Sequence, residues 1–586
     1  MCGIAGIIKT NNRVNDTIIY KMLNAIEHRG PDGKDVYINN NVGFGHVLLK
    51  IQDVTNLSKQ PYIYKNWVLT YNGEIYNYKE LRNILIKNNY KFKTDGDTEV
   101  LIKLIDFFGI KKSINKLEGS FAFAAYNIKS KKTYLVRDRF GIKPLYYYKD
   151  LNKIIFCSEI KGILQDNTVQ RKVNFDKILE SFNTRLWLSR ETTFFQNIYC
   201  LKPGTYMVIS NNNNININIK VETYYHLKFT NKYKDINSVL YDFGRELKHS
   251  VESKLISKVP VAAFLSGGLD SSIVCKLMQD KMKKPLSTYT IHYDFDNDLD
   301  LNHANVIAKQ EKFNKHNVLI KENMYSIENI DKVTYGVEEL LIDKVYIPMY
   351  FNYKSAKNDG YTVVVSGQGS DEVWLGYIFT YKIFEYINEK YNNEYLLNDY
   401  YLKNMIFSDK LKKTYFNETK KVMKKYLENN LEKNNKDEIN SYGDLSLKTI
   451  LHDLLIQEDK IAMMNSVESR VPFVDNHRIV EIAYNTASNL KLYDGREKYI
   501  VREYSKNKID DSIINRKKFP FPEPPKIYNE QITNLCRKNW KEIKKSRILN
   551  KILQKGQMDN VNNFTELEQW WIIICWRFEN VFKMEV

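Results

Sequence analysis

Cys2 stands one residue inside Met1. Removing that methionine leaves a thiol and a free amine on one residue, and an α-amino group titrating near ~7.7–8.0 can act as base for the thiol or for water attacking a thioester. A cysteine at such a place is otherwise a small buried hydrophobe. Its companions decide between the two. Tyr71-Asn72-Gly73-Glu74 closes an apolar strand-like run, and an amide side chain beside a backbone N–H can stabilise an oxyanion, a contribution of about 2.7–4 kcal/mol per donor. Asn72-Gly73 is expected to form a turn after that strand, and taken alone the pair is a hairpin signal. Glu74 and Asp97 can hold an ammonium group.

A second set of residues suits phosphate chemistry. The buried-strand run Val261 to Leu265 empties into Ser266-Gly267-Gly268-Leu269-Asp270-Ser271-Ser272, and a helix follows. Glycines let backbone N–H groups approach a pyrophosphate, the hydroxyls add donors, and the helix N-terminus favours anions. Three further segments follow in chain order: Ser366 to Glu372, Ser466 to Phe473 and Arg496 to Arg502. Asp270 and Asp371 are of the ligand type that Mg²⁺ takes beside phosphate oxygens. Lys498 is a mobile point charge suited to a leaving pyrophosphate. Any one of these, taken singly, would be a solvated ion pair.

The elements that must carry these residues fall into two patterns. Over the first 200 residues short apolar strands (Trp67 to Tyr71, Phe121 to Tyr126, Thr133 to Arg137) alternate with helical stretches near 16–28, 78–88 and 97–108. Asn211 to Asn214 reads as a loop between two strands. From about residue 230 the order becomes helix (235–257), strand (Val261 to Leu265), helix (272–283), strand (Leu286 to His292) and strand (Thr362 to Ser366), which argues a parallel sheet covered by helices. An α-helical cap is expected between about 377 and 470. The reading is therefore two domains, 1–229 and 230–586.

Bulk properties exclude several classes. With 586 residues, 43% hydrophobic and 27% charged, the chain has the composition of a globular protein with more than one core. The apolar run Trp570 to Trp576 is far short of the roughly 20 residues needed to cross a bilayer and reads as a buried helix, so no membrane partner is expected. Six cysteines lie far apart with no CxxC pair, so reduced thiols and a cytosolic setting are expected. The net charge of +18 comes from lysines spread along the chain rather than clustered, which points away from nucleic acid.

In order and spacing, Cys2-Gly3-Ile4-Ala5-Gly6, His28-Arg29-Gly30-Pro31-Asp32, Tyr71 to Asn77 and Gly96-Asp97-Thr98-Glu99 resemble the class II glutamine amidotransferase domain. The resemblance implies a four-layer αββα sandwich in which Cys2 attacks glutamine, Asn72 and Gly73 form the oxyanion hole, and Glu74 and Asp97 bind substrate. Ser266 to Ser272 resembles the PP-loop, and with the later segments the second half resembles asparagine synthetases. That implies adenylation of a carboxylate by ATP with Mg²⁺. Leu265, Ile291, Ser366 and Gly367 would touch the nucleotide with Ser266, Gly267, Gly268, Ser271 and Ser272, Asp270 and Asp371 would hold the metal, and Lys498 would stabilise charge. The substrates implied are glutamine, ATP and aspartate or another small acid. Ammonia would pass between the sites through an internal tunnel, and a homo-oligomer is left open.

Two departures bear on this. Where the family carries an arginine for the glutamine α-carboxylate, this chain has Leu48, and Lys50, two residues along a strand and so on the same face, is expected to supply the charge. Gln368 stands where several asparagine synthetases have an acid, and an amide cannot take up a proton. The alternatives are an amidotransferase acting on a sugar acid or other carboxylate, and a relative that uses ammonia alone.

Overall fold

The computed structural model describes residues 1–184, 191–212, 216–230, 232–294, 298–379, 438–518, 526–553 and 556–586. Its strands, in chain order, are β1 (Gly3–Lys9), β2 (Lys34–Asn39), β3 (Val42–Val47), β4 (Tyr62–Tyr64), β5 (Trp67–Ile75), β6 (Gly119–Asn127), β7 (Lys132–Arg137), β8 (Tyr146–Lys149), β9 (Lys153–Cys157), β10 (Ile198–Cys200), β11 (Thr205–Asn212), β12 (Asn216–Thr223), β13 (Val261–Phe264), β14 (Ser287–Tyr293), β15 (Asn314–Ile320), β16 (Val363–Val365) and β17 (Glu468–Arg470).

The first twelve strands form two six-stranded sheets, in the orders β10-β8-β9-β1-β3-β2 and β12-β11-β7-β6-β5-β4. Every recorded pairing within them is antiparallel. Ile4, Ile8, Phe44, Val68, Ala122 and Leu135 interlock between the sheets. Because alternate strand residues point to opposite faces, Ala5 and Ile7 of β1 are left for the helix Asp16–Ala25, which packs Ile19 and Leu23 on the outer side. Helices Tyr78–Lys87 and Asp97–Phe108 cover the other sheet through Leu81, Leu101 and Ile105. The result is the αββα sandwich expected.

The last five strands form one parallel sheet in the order β15-β14-β13-β16-β17. The chain runs outward from β13 through β14 to β15, then returns to the other side of β13 with β16. That reversal places a crevice at the carboxyl ends of β13 and β16, where open α/β sheets bind ligands. The helix Leu269–Lys281 follows β13 directly.

The expected elements are observed with small shifts in their ends. Asn72 and Gly73 are the exception. They lie inside β5, paired with Ala122 and Phe121, and not in a turn beyond it. A Cβ on Gly73 would sit 2.3 Å from the Ser120 carbonyl oxygen, so glycine here serves a close strand crossing and a backbone at φ +154°. Asn211 and Asn212 also continue β11, pairing with Ile217 and Asn216, so the break is shorter than read. Asn213 and Asn214 lie outside the described residues. Of the helical cap expected over 377–470, residues 380–437 lie outside them too, while Glu438–Lys448 and Ile450–Met463 are helices. Trp570 to Trp576 is buried within the helix Glu566–Phe582, started by a Thr565–Glu568 capping box. No described helix is long and apolar enough to cross a membrane, and all six cysteines are free and buried.

Candidate functional sites and the seam between them

Cys2 immediately precedes β1, so sheet pairing on both sides of that strand fixes where the thiol sits. The Cys2 N–H donates to Asn72 Oδ1 at 3.0 Å, and Arg29 Nε donates to the Cys2 carbonyl at 3.1 Å. Asn72 is fully buried, and its Nδ2 has no hydrogen-bond partner among the described residues. An amide donor left open beside a nucleophile is what an oxyanion needs, since otherwise the buried group costs free energy for nothing in return. Burial pushes the Cys2 thiol up to about 11, so it requires a base to react near neutrality.

Glu74, Asp97, Gly73, Leu48, Gln52 and Tyr71 line the cavity around Cys2. Asp97 Oδ2 accepts from Tyr71 Oη at 2.7 Å and from the Ile75 N–H at 3.0 Å, and burial lifts its carboxyl to about 6. Gln52 donates to Glu74 Oε2. The cavity measures about 40 Å³, and the Gln52–Glu74 hydrogen bond lies in its lining. Lys50 is not brought here. β3 ends at Val47, and Leu48 makes only an isolated bridge to Pro31, so the alternation that would put Leu48 and Lys50 on one face has already stopped. Among the described residues, no lysine or arginine lines this cavity.

The second cavity, about 180 Å³, opens in the crevice at β13 and β16. Leu265, Ser266, Gly268, Asp270, Ser271, Ile291, Ser366, Gly367, Asp371 and Lys498 all line it. Gly267 and Ser272 do not; Gly267 sits at φ +69° and gives its carbonyl to Arg516 at 3.1 Å, while the Ser272 side chain is fully buried. The Ser266 N–H donates to Ser271 Oγ at 3.2 Å, folding the loop onto the helix start. A Cβ on Gly367 would approach Ser271 N to 2.8 Å, so the two glycine loops touch backbone to backbone. Lys517, Lys518, Arg502 and Arg516 line the cavity as well, and Arg502, Arg516 and Lys518 are paired there with Glu497, Asp300 and Asp371.

Asp270 and Asp371 converge on one point, because both meet Lys498 Nζ. Burial raises the Asp371 carboxyl, but Lys498 and Lys518 outweigh it and hold it near 2. Two carboxylates on one point fit a Mg²⁺ that takes its other ligands from phosphate and water. Among the described residues no group of three acidic, His or Cys side chains gathers for a metal.

Sequence reasoning gave no role to the residues that join the two cavities. β17 lies at the edge beside β16, and its side chains reach the other domain: Glu468 Oε2 holds the Met1 ammonium at 3.0 Å and Arg470 lies 3.7 Å from Glu74. On the helix Ile450–Met463, Asp459 pairs with Arg29 at 2.8 Å and Lys143 at 3.3 Å. The available signal was a buried helix carrying Gln457-Glu458-Asp459-Lys460, four polar residues in a row, all enclosed.

Residues 1–225 match the family described as glutamine amidotransferase domain, and residues 242–567 match asparagine synthase. Among similar proteins, asparagine synthetase [glutamine-hydrolyzing] 1 of Bacillus subtilis is 28% identical over 100% of this chain and 97% of its own. Asparagine synthetase [glutamine-hydrolyzing] 2 of the same organism is 31% identical, covering 89% of this chain and 72% of its own. Amidase chry2 of Gibberella zeae is 26% identical over 86% of this chain and 85% of its own.

Proposed function

The chain belongs to the asparagine synthase family, and from that premise we propose that it is a glutamine-dependent ligase that converts aspartate to asparagine at the expense of ATP. The observation that carries the reading is the joining of a Cys2–Asn72 pocket to a Ser266–Asp270–Lys498 pocket by the buried strand Glu468–Arg470.

In this reading Met1 is removed, and the freed Cys2 amine takes the thiol proton. The thiolate adds to the glutamine side-chain carbonyl, Asn72 Nδ2 and the Gly73 backbone steady the oxyanion, and ammonia leaves a thioester that water then hydrolyses. Glu74 and Asp97 anchor the glutamine ammonium. In the second pocket Ser266, Gly268 and Ser271 present donors to the phosphates of ATP. Asp270 and Asp371 would hold Mg²⁺, which would supply charge neutralisation for the departing pyrophosphate. Lys498, freed from its carboxylates, moves its charge to the same phosphates, and aspartate is left as an acyl-adenylate. Ammonia that crosses the seam displaces AMP.

Cys2→Ala tests the first half. Glutamine-dependent synthesis should fall by about 10³-fold or more, while synthesis from ammonium chloride stays within about twofold. A variant that still hydrolyses glutamine removes Cys2 from the reaction. The relative named as an amidase and the presence of Gln368 in the pocket favour one second reading, the same chemistry on a different acid. Pyrophosphate release measured acid by acid separates the two.

A further inference from the structure

An amine attacking an acyl-adenylate arrives neutral and becomes positively charged at the tetrahedral stage, so the step needs a proton acceptor before the C–O bond to AMP breaks. Gln368 lines the cavity but its amide has no such capacity. One carboxylate that lines the same cavity is not engaged with a cation: Glu458, on the helix Ile450–Met463, only 3% exposed.

Its two oxygens are used differently. Oε1 accepts from three hydroxyls, Tyr353 Oη at 2.9 Å, Ser366 Oγ at 2.7 Å and Ser469 Oγ at 2.8 Å. Three donors on one oxygen favour the ionised form and lock the side chain in place. Oε2 is buried and has no hydrogen-bond partner among the described residues. A structural carboxylate with both oxygens enclosed would be expected to satisfy both, because an unpartnered buried acceptor costs roughly 1–3 kcal/mol. Position adds to this. Ser366 belongs to the nucleotide loop, with the Gln368 N–H donating to its hydroxyl at 3.4 Å, whereas Ser469 lies on β17 between the two residues that touch the glutamine pocket. The next residue along the helix, Asp459, binds Arg29, which holds the Cys2 carbonyl. Glu458 therefore shares its hydrogen bonds between the nucleotide loop and the strand that touches the Cys2 pocket.

We infer that Glu458 is the catalytic proton acceptor for ammonia, its open Oε2 doing what Gln368 cannot. This rests on the ligase reading above. Ammonia forms the C–N bond at the acyl carbon, the resulting ammonium gives one proton to Glu458 Oε2, and the carbonyl reforms as the C–O bond breaks and AMP leaves with that electron pair. The proton passes to solvent after product release. Burial raises the Glu458 carboxyl from its usual range, against the hydroxyl donors, which strengthens it as a base.

The test separates the two half-reactions. Aspartate-dependent exchange of labelled pyrophosphate into ATP reports adenylation, and asparagine formed from ammonium chloride reports the whole. In Glu458→Gln, which keeps an oxygen for the three hydroxyls, exchange should stay within about threefold of wild type and synthesis should fall about 100-fold or more. Adding Gln368→Glu should return at least tenfold of the lost synthesis. Synthesis within about threefold of wild type in Glu458→Gln overturns the proposal. Where Glu458→Gln loses exchange as well, recovery of both activities in the double variant supports the proposal and continued loss of both assigns Glu458 to folding, against it. Wild-type protein with no pyrophosphate exchange dependent on aspartate or on any other acid offered defeats the ligase reading itself, and this proposal with it.

Discussion

At the residue scale the Cys2 pocket, where the proposed function places glutamine, is lined by acids that burial has made reluctant to ionise. Asp97 titrates near 6 and Glu74 is held well above the carboxylate range by burial, Glu468 and Asp97 itself. Only ionised Asp97 can pair with the glutamine ammonium, so the sign is fixed: beside the loss that protonation of the Cys2 amine causes below about 8, kcat/KM for glutamine should show a second break near 6 and fall more steeply with falling pH below it. That parameter reports groups of the free enzyme, the state to which the shifted value applies. Asp97→Asn should be low throughout and lack the second break. A wild-type profile with no second break down to pH 5 would remove Asp97 from substrate binding.

At the element scale, much of the positioning was legible before the fold. Strands with apolar alternation and helices with clear starts, such as β5, β6 and Asp97–Phe108, fall where periodicity places them. The loop after β13 was legible because strand, glycine pair and helix follow one another locally. Asn72-Gly73 was misread because the dipeptide is a turn signal only if no partner strand claims it, and β6 does. β17 was invisible as a strand. Glu-Ser-Arg has no apolar alternation, and its pairing to β16 lies more than a hundred residues away. Glu458 was missed for the same reason, since its partners Ser366 and Tyr353 are distant in sequence. The contact between the two glycine loops gives a test of the crevice. Gly367→Ala places a methyl 2.8 Å from Ser271 N, backbone that cannot yield cheaply. Pyrophosphate exchange should fall by about 10²-fold or more, by misplacing the reacting groups, while glutamine hydrolysis stays within about threefold. Equal loss of both would mean the substitution disturbs the fold at large.

At the scale of the whole molecule, the two domains are held by buried charge rather than by an oily interface alone. Arg29, Glu159 and Asp459 form one cluster, and Met1, Glu468, Arg470 and Glu74 form another, all enclosed. Arg470 also donates to the Lys254 and Ile256 carbonyls at 2.7 and 2.8 Å. Removing it leaves two buried carboxylates facing each other, a loss of about 3–5 kcal/mol. Arg470→Met should lower the thermal midpoint and reduce glutamine hydrolysis, although the residue lies in the other domain; unchanged hydrolysis would mean the seam does not support the glutamine pocket. In the function proposed, the seam serves the delivery of nitrogen to an adenylate, and one measurement reaches that claim directly. With carboxylate-¹⁸O aspartate, glutamine and ATP, the account expects asparagine to form together with AMP carrying one ¹⁸O. Label found in inorganic phosphate beside ADP, or AMP without label, would contradict it.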